Sequence, residues 1–235
     1  MRIDKYLSNA NITKRSEVTR FLKNNIVTCN GERVYKKDFK IDCNIDLIMV
    51  NNKTIDYKEF VYYILNKPQG YICATKDNLS LTVTSLINTS YEIFPVGRLD
   101  KDTEGLVLLT NDGMLAHRLT LPKYHVLKEY YAETDNDLTN VEMKEFSSGI
   151  KILDGDGIEY ITKQAKINKI GDKKYQVIIS EGKYHQVKRM FAYFNCNVCY
   201  LKRLSIGPIN IGELKNGEYR ELNEDEIEKL KDAVK

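Results

Sequence analysis

The stretch FPVGRLDKDTEGLVLLTNDG (residues 94–113) places an acidic loop directly before a buried strand. A Gly-Arg-Leu-Asp sequence at 97–100 leads into an uninterrupted apolar run at 106–109, and Asn-Asp-Gly at 111–113 then marks a turn. Such an apolar run indicates a strand in the core of a sheet. The loop before it is where polar side chains can gather at the strand's edge.

Two carboxylates in this loop invite a chemical interpretation. Asp100 and Asp102 are two residues apart, so in an extended loop they share a side. A pair of this kind is suited to general acid and base work. The sequence Asp102-Thr103 fits a turn or a cap equally well, and we favour that interpretation for Asp102. Asp112, which precedes a glycine, also fits turn chemistry better than catalysis.

A second segment, GKYHQVKRMFAYF (182–194), carries apolar side chains at 187, 190, 191 and 194 that mark one face of a helix. Lys188 and Arg189 flank this apolar face. A cation at the start of a helix can pair with a loop carboxylate and keep it ionised as a nucleophile, and we advance Lys188 for this only as a hypothesis. His185 has no carboxylate at a spacing that suggests a triad, so we assign it a positional role.

Between these segments, KEYYA (128–132) alternates like a strand. Tyr130 on such a strand is usually a core residue, but in an RNA-binding protein it can instead stack on a base. The chain has neither a phosphate-binding loop nor a GxGxxG motif, so nucleotide cofactors have no support. Cys196 and Cys199 form a CxxC pair without a second pair, which argues against a zinc site.

The chain has 235 residues, 36 Lys and Arg against 33 Asp and Glu, and a net charge of +3. Residues 1–42 hold ten basic and five acidic residues, a balance of +5, so the remainder is slightly negative. The absence of a long apolar run and the charged start MRIDKYL favour a soluble, cytoplasmic protein without a membrane span. Five scattered cysteines do not suggest a disulfide framework.

The basic amino-terminal stretch predicts two short helices and a hairpin. Apolar residues at 3, 6, 7 and 10, and again at 18, 21 and 22, have helical spacing, and Asn30-Gly31 is a strong two-residue hairpin signal. Basic side chains in or beside the second helix can meet RNA phosphates, although a solvated surface helix is an equally good interpretation from charge alone. These side chains are Lys14, Arg15, Arg20 and Lys23.

Two resemblances sharpen this picture. RIDKYL, Arg15-Ser16-Glu17 and the VTCNGERV hairpin together resemble the small RNA-binding domain named after ribosomal protein S-four. LNKPQGY, GRLDKDTEGLVLLTNDG, KEYYAE, EGKYHQVKRM and LKRLSIGPI, in that order, resemble the bacterial ribosomal small subunit pseudouridine synthase A family. The second resemblance runs over nearly the whole chain.

The second resemblance implies isomerisation of a uridine in 16S ribosomal RNA to pseudouridine, with no cofactor and no metal. It implies that Asp100 is the catalytic carboxylate, either attacking C1′ of the ribose or removing a C2′ proton. Tyr130 is expected to stack on the base and assist proton removal from C5, and Lys188 to pair with the aspartate. Lys188 stands where many relatives have Arg, and Glu129 departs from the commoner Lys-Thr-Tyr form.

The same resemblance implies three further substrate contacts. Arg98 is expected to help extrude the target nucleotide, since the aspartate cannot reach a ribose inside a stacked helix. Leu204 and Ile206 are expected to form an apolar floor for the uracil.

We therefore expect an α+β protein. An RNA-binding domain at 1–52 precedes a catalytic domain at 59–235 with a mixed, largely antiparallel sheet flanked by helices. The expected partner is ribosomal RNA or a small-subunit assembly intermediate, and the expected state is a monomer. Two rival functions stay open: a synthase that modifies large-subunit RNA, and a non-catalytic RNA-binding or ribosome-assembly factor.

Overall fold

The computed structural model describes residues 1–43, 45–55 and 57–235, which divide into two compact units. The first comprises Met1–Val61 together with Asn88–Glu92, and the second comprises Tyr62–Ile87 and Ile93–Lys235. Residues 88–92, which the sequence analysis assigns to the catalytic domain, pack with the first unit. None of the helices in the described residues is both long enough and apolar enough to cross a bilayer.

The first unit pairs two helices with a small antiparallel sheet in the strand order β2-β1-β3-β4. Asn30 and Gly31 connect β1 to β2 with φ of 52° and 89°, which is the left-handed geometry that a two-residue hairpin turn needs. The predicted hairpin is thus confirmed. The elements are α1 (Ile3–Asn9), α2 (Val18–Asn24), β1 (Val27–Cys29), β2 (Glu32–Arg33), β3 (Ile48–Val50) and β4 (Lys53–Thr54).

The second unit is built on a mixed sheet whose main path has the strand order β11-β12-β8-β13-β7-β5-β15. In this path β13 and β7 are parallel, and the neighbours on either side are antiparallel. Short strands β6 and β14 add to β7 and β13, while β9 and β10 form a separate hairpin. The predicted α+β class and largely antiparallel sheet are confirmed. The strands are β5 (Tyr62–Lys67), β6 (Phe94–Pro95), β7 (Glu104–Thr110), β8 (Lys128–Thr134), β9 (Lys151–Leu153), β10 (Glu159–Ile161), β11 (Lys166–Gly171), β12 (Lys174–Ile179), β13 (Val198–Ile206), β14 (Ile209–Asn210) and β15 (Tyr219–Glu221).

Four helices cover this sheet: α3 (Gly113–Thr120), α4 (Asn140–Ser148), α5 (Gln186–Ala192) and α6 (Glu224–Asp232). Asp112 caps α3 by accepting from the backbone N–H of Leu115, so its role is the structural one that the sequence favours. Leu115 and Leu230 join Leu106 and Leu108 of β7 in one apolar cluster. The rings of Phe146, Tyr175 and Phe191 pack together in another, with Phe191 centroids 5.1 and 5.4 Å from the other two.

The end of β5 fixes the loop that leads into β7. Lys67 is fully buried, and its ammonium donates to the carbonyl oxygens of Thr103 at 2.7 Å, Pro68 at 3.0 Å and Lys101 at 3.4 Å. Burial lowers the pKa of Lys67 below its ordinary value, against the attraction of nearby carboxylates. The turn at 101–103 is therefore held from beneath by one side chain.

Replacing Lys67 tests this anchor. We expect Lys67→Met to lower the free energy of unfolding by about 2–4 kcal/mol, because the buried carbonyl oxygen of Thr103 and the partly buried one of Pro68 lose their donor. Lys101→Met, the same change at an exposed position in this loop, should alter it by less than about 0.5 kcal/mol. Urea unfolding measures both, and unchanged or increased stability of Lys67→Met would contradict the assignment.

Candidate active site

An open cavity of about 600 Å³ lies in the second unit, at the end of the sheet where β7 begins. Its wall comes from the loop between β6 and β7, from β8, from β13 and from the segment that enters α5. Side chains lining it include Arg98, Asp100, Tyr130, His185, Lys188 and Ile206. Five of the residues predicted for the site are thus brought together from segments up to about a hundred residues apart in the chain.

Asp100 is the central carboxylate of the cavity. Its Oδ2 lies 3.3 Å from Nζ of Lys188, and its Oδ1 lies 3.2 Å from Nε2 of His185. The Asp100 side chain is 25% exposed, so it is half-buried but reachable from solvent. Both carboxylate oxygens of Asp100 are therefore within ion-pair distance of side chains from the start of α5.

Lys188 contacts both acidic residues of the loop. Its Nζ is 2.6 Å from Oδ1 of Asp102, closer than it is to Asp100. The hydrogen bond from Lys188 lowers the pKa of Asp102 below its ordinary value, although partial burial opposes the shift. Asp102 is thus more than the turn residue that the sequence favours, because it shares the ammonium that faces Asp100.

Tyr130 lies on β8 with 6% of its surface exposed and faces the cavity. Lys128 lies two residues earlier on the same strand, so it shares this face and also lines the cavity. Burial, reinforced by the nearby charge of Arg203, lowers the pKa of Lys128 to about 8. The part of the cavity beside Tyr130 is therefore bordered by amine and guanidinium groups.

Arg98 is an exposed residue of the loop before Asp100, and it lines the same cavity. No ion pair joins its guanidinium to another side chain in the described part of the chain. Its neighbour Leu99 is buried and donates its backbone N–H to Sγ of Cys73 at 3.3 Å. The loop backbone is fixed next to Arg98, while the Arg98 side chain stays available to a ligand.

Leu204, which the sequence predicts to contact the uracil, does not line the cavity. In β13 the register shifts between Arg203 and Ser205, so Leu204 has no partner on β8. This bulge brings Arg203 and Ile206 to the cavity, whereas Leu204 does not line it. The expectation for Leu204 is therefore corrected, and Leu201 takes its place in the lining.

The four basic residues predicted to grip RNA lie in the first unit and are all exposed: Lys14, Arg15, Arg20 and Lys23. Arg15 also pairs with the buried Asp4, with 3.4 Å between Nε and Oδ2. The backbone N–H of Lys5 and the guanidinium groups of Arg2 and Arg15 hold the pKa of Asp4 below its usual value, against its burial. Arg15 is thus partly a structural residue.

Two cavity residues, Lys128 and Arg203, are missed by sequence reasoning because nothing local distinguishes them from surface or core residues. His185, for which the sequence indicates only a positional role, lies beside Asp100. His185 adopts a left-handed backbone with φ of 51° directly before α5, and its ring stacks on Tyr184 with 3.8 Å between centroids. In the described residues, no group of three or more His, Cys, Asp or Glu side chains has the arrangement of a metal site.

Comparison with known proteins assigns the family. Residues 61–193 match the family model described as RNA pseudouridylate synthase. The chain is 40% identical to an uncharacterized RNA pseudouridine synthase of Bacillus subtilis, with 98% of each chain covered. It is 37% identical to the ribosomal small subunit pseudouridine synthase A of Yersinia pestis, with 97% of each covered.

A crystal structure of a pseudouridylate synthase shares this fold over 98% of this chain and 99% of its own, at 37% identity and a TM-score of 0.69. These matches confirm the family and the enzyme class expected from the motifs. The chain belongs to the RNA pseudouridylate synthase family, whose members isomerise uridine to pseudouridine in RNA.

Proposed function

We propose that this protein isomerises a specific uridine of small-subunit (16S) ribosomal RNA, with Asp100 as the catalytic carboxylate acting on a flipped-out nucleotide. The observation that carries the proposal is the position of Asp100 between Lys188 and His185, in the cavity that Tyr130 also lines. A carboxylate held at both oxygens in a half-buried site is suited to react at a single fixed point.

The chemistry breaks the bond between N1 of the uracil and C1′ of the ribose, turns the base and joins C5 to C1′. Asp100 either attacks C1′, forming an ester with the sugar, or removes the C2′ proton to give a glycal. A carboxylate suits both routes, because it acts as a nucleophile at C1′ in the first and as a base that takes and later returns the C2′ proton in the second. After C5 has bonded to C1′, the proton on C5 is removed and N1 gains one, so the product is an isomer of the substrate.

Tyr130 contacts the extruded base, and Arg98 contacts the RNA strand. Tyr130 has its ring on the cavity wall, where it stacks on the extruded uracil and assists removal of the C5 proton. Arg98, exposed at the cavity, contacts the RNA from which the nucleotide has been displaced. Extrusion costs a few kcal/mol of stacking, which these contacts offset.

Small-subunit RNA is the favoured substrate because of the relatives and one local feature. The relative from Yersinia pestis is named for the small ribosomal subunit and aligns over nearly its full length. Tyr184-His185, characteristic of the EGKYHQVKRM motif, lies at the cavity with its rings stacked. A large-subunit substrate is the runner-up, and a non-catalytic RNA-binding factor would not need the arrangement around Asp100.

The first unit is proposed to hold RNA through its exposed basic residues. Lys14, Arg20 and Lys23 have no ion pair to other described residues, so their charges are available to phosphates. This unit acts on affinity, whereas the second unit carries the reaction.

Loss of the catalytic carboxylate should abolish the reaction. We expect Asp100→Asn to lower pseudouridine formation by at least about 10⁴-fold while RNA affinity stays within about threefold. Asp172→Asn, at an exposed turn between β11 and β12, is the matched control and should keep full activity. Tritium release from RNA labelled at C5 of uridine measures the rate. Retained activity of Asp100→Asn would refute the mechanism.

The substrate can be identified in cells. In a strain lacking this protein we expect one pseudouridine to disappear from 16S ribosomal RNA, and the gene with an intact Asp100 to restore it. Reverse-transcription mapping of both ribosomal RNAs after carbodiimide treatment reads this out. A missing large-subunit pseudouridine would favour the runner-up, and no change would favour the non-catalytic factor.

Neutralising the basic residues of the first unit should weaken RNA binding without changing the chemical step. For the triple variant Lys14→Gln, Arg20→Gln, Lys23→Gln we expect a higher KM, an unchanged kcat and a salt slope of affinity that falls by about 2. The control neutralises three exposed lysines of the second unit: Lys144, Lys166 and Lys231. If the wild type and the triple variant of the first unit have equal salt slopes, these three residues do not contact RNA phosphates.

A further inference from the structure

Arg203 is a buried arginine at the cavity that forms no ion pair with another described residue. Only 2% of its surface is exposed, and its Nε donates to the carbonyl oxygen of Leu106 at 2.8 Å. Its Nη2 is buried and has no hydrogen-bond partner among the described residues. No carboxylate in the described part of the chain lies within 4 Å of it. An arginine keeps its charge at any physiological pH, so this arrangement calls for an acceptor.

A second buried polar atom without a partner lines the same cavity. It is Oγ1 of Thr103, a residue that is 1% exposed. Buried donors and acceptors in native proteins are nearly always paired, so two such atoms in one cavity indicate a polar ligand that completes them. Thr103 directly follows the loop that carries Asp100 and Asp102, so this ligand lies close to the catalytic carboxylate.

The register of the sheet places Arg203 beside the base site. Arg203 on β13 is paired with Tyr130 on β8, so both side chains lie on the same face of neighbouring strands. Lys128 lies on that face as well, and its pKa is lowered in part by the guanidinium. The wall of the cavity that carries Tyr130 therefore also carries two basic side chains, Lys128 and Arg203.

We propose that Arg203 donates a hydrogen bond to a carbonyl oxygen of the uracil and stabilises the negative charge that develops on the base during cleavage. This inference rests on the proposed function. When the bond from N1 to C1′ breaks, its electron pair stays with the uracil and spreads from N1 onto O2 and O4. Arg203 transfers no proton in this step; it stabilises the charge on the base through its hydrogen bond. The role is the same whether Asp100 attacks C1′ or removes the C2′ proton.

A backbone phosphate is a less suitable partner for this group. Phosphates of an RNA strand stay near the solvent, where Arg98 and Lys101 are exposed at the cavity. Arg203 is almost inaccessible and lies beside Tyr130 on the neighbouring strand, so a base that stacks on Tyr130 brings its edge, not a backbone phosphate, towards the guanidinium.

The test combines a rate with a binding preference. In single-turnover assays we expect Arg203→Met to slow pseudouridine formation by about 10²- to 10³-fold, as removal of one preorganised donor does. Binding is measured in the Asp100→Asn background, to RNA with the target uridine and to the same RNA with an abasic site there. We expect Arg203→Met to reduce the preference for uridine by about tenfold, leaving the part that stacking on Tyr130 provides, and to leave affinity for the abasic RNA unchanged.

Lys202→Met is the matched control. Lys202 precedes Arg203 on β13, is paired with Tyr131 and does not line the cavity. It should keep both the rate and the binding preference. If Arg203 has only a structural or water-bridged role, Arg203→Met should lower thermal stability but leave the ratio of the affinities for uridine RNA and abasic RNA unchanged. That result would overturn the proposal.

A version of the test without a change at Arg203 covers the case in which Arg203→Met does not fold. RNAs carrying 2-thiouridine or 4-thiouridine at the target replace one carbonyl oxygen with a weaker acceptor. We expect one of them to bind Asp100→Asn at least about fivefold more weakly than the uridine RNA, and equal binding of all three would overturn the proposal. Failure of the wild type to form pseudouridine in any RNA would instead overturn the proposed function.

Discussion

The close backbone contact between Gly105 and Arg203 joins the two halves of the catalytic sheet. β7 belongs to an antiparallel set with β5 and β15, and β13 to another with β8, β12 and β11; the parallel pairing of β7 with β13 connects them. A side chain on Gly105 would place its Cβ 2.2 Å from the carbonyl oxygen of Arg203, and φ there is +105°. Only glycine permits this approach. Asp100 comes from one half of the sheet, and Tyr130 comes from the other.

The pairing of β7 with β13, which we call the seam of the sheet, is stabilised by hydrogen bonds from two buried side chains. Lys67 holds the loop at 101–103 from the β5 side, while Nε of Arg203 crosses the seam to the carbonyl oxygen of Leu106. Both side chains are buried cations whose desolvation opposes folding. Each donates to a backbone carbonyl oxygen near the start of β7, where the two halves of the sheet meet. The backbone before and within β7 is thus fixed by buried side chains next to Asp100, while the cavity itself is open to solvent.

Sequence reasoning succeeded where a structure depends on neighbouring residues. The apolar run of β7, the helical face of α5 and the positive φ at Asn30-Gly31 are local properties, and periodicity or turn chemistry reports them. The contact of His185 with Asp100 joins residues 85 positions apart, and no local pattern encodes it. The bulge in β13 at Leu204 is also invisible in the sequence. One unpaired residue changes which side chains face the cavity, but it does not alter the hydropathy pattern. The family resemblance is the source of the roles proposed for Asp100 and Tyr130, which spacing alone does not indicate.

The lysine at position 188 acquires a physical rationale from the second acid of the loop. A guanidinium favours one carboxylate in a planar, bidentate pair, whereas an ammonium has three donors that point in different directions. Lys188 uses this freedom to contact Asp102 at 2.6 Å and Asp100 at 3.3 Å. The shorter contact is to the carboxylate that is 71% exposed, so Asp102 fixes the ammonium from the solvent side. Asp100 then meets a cation already held in place, while Nε2 of His185 lies 3.2 Å from its other oxygen. Lysine and Asp102 together thus supply the orientation that a bidentate arginine would provide alone.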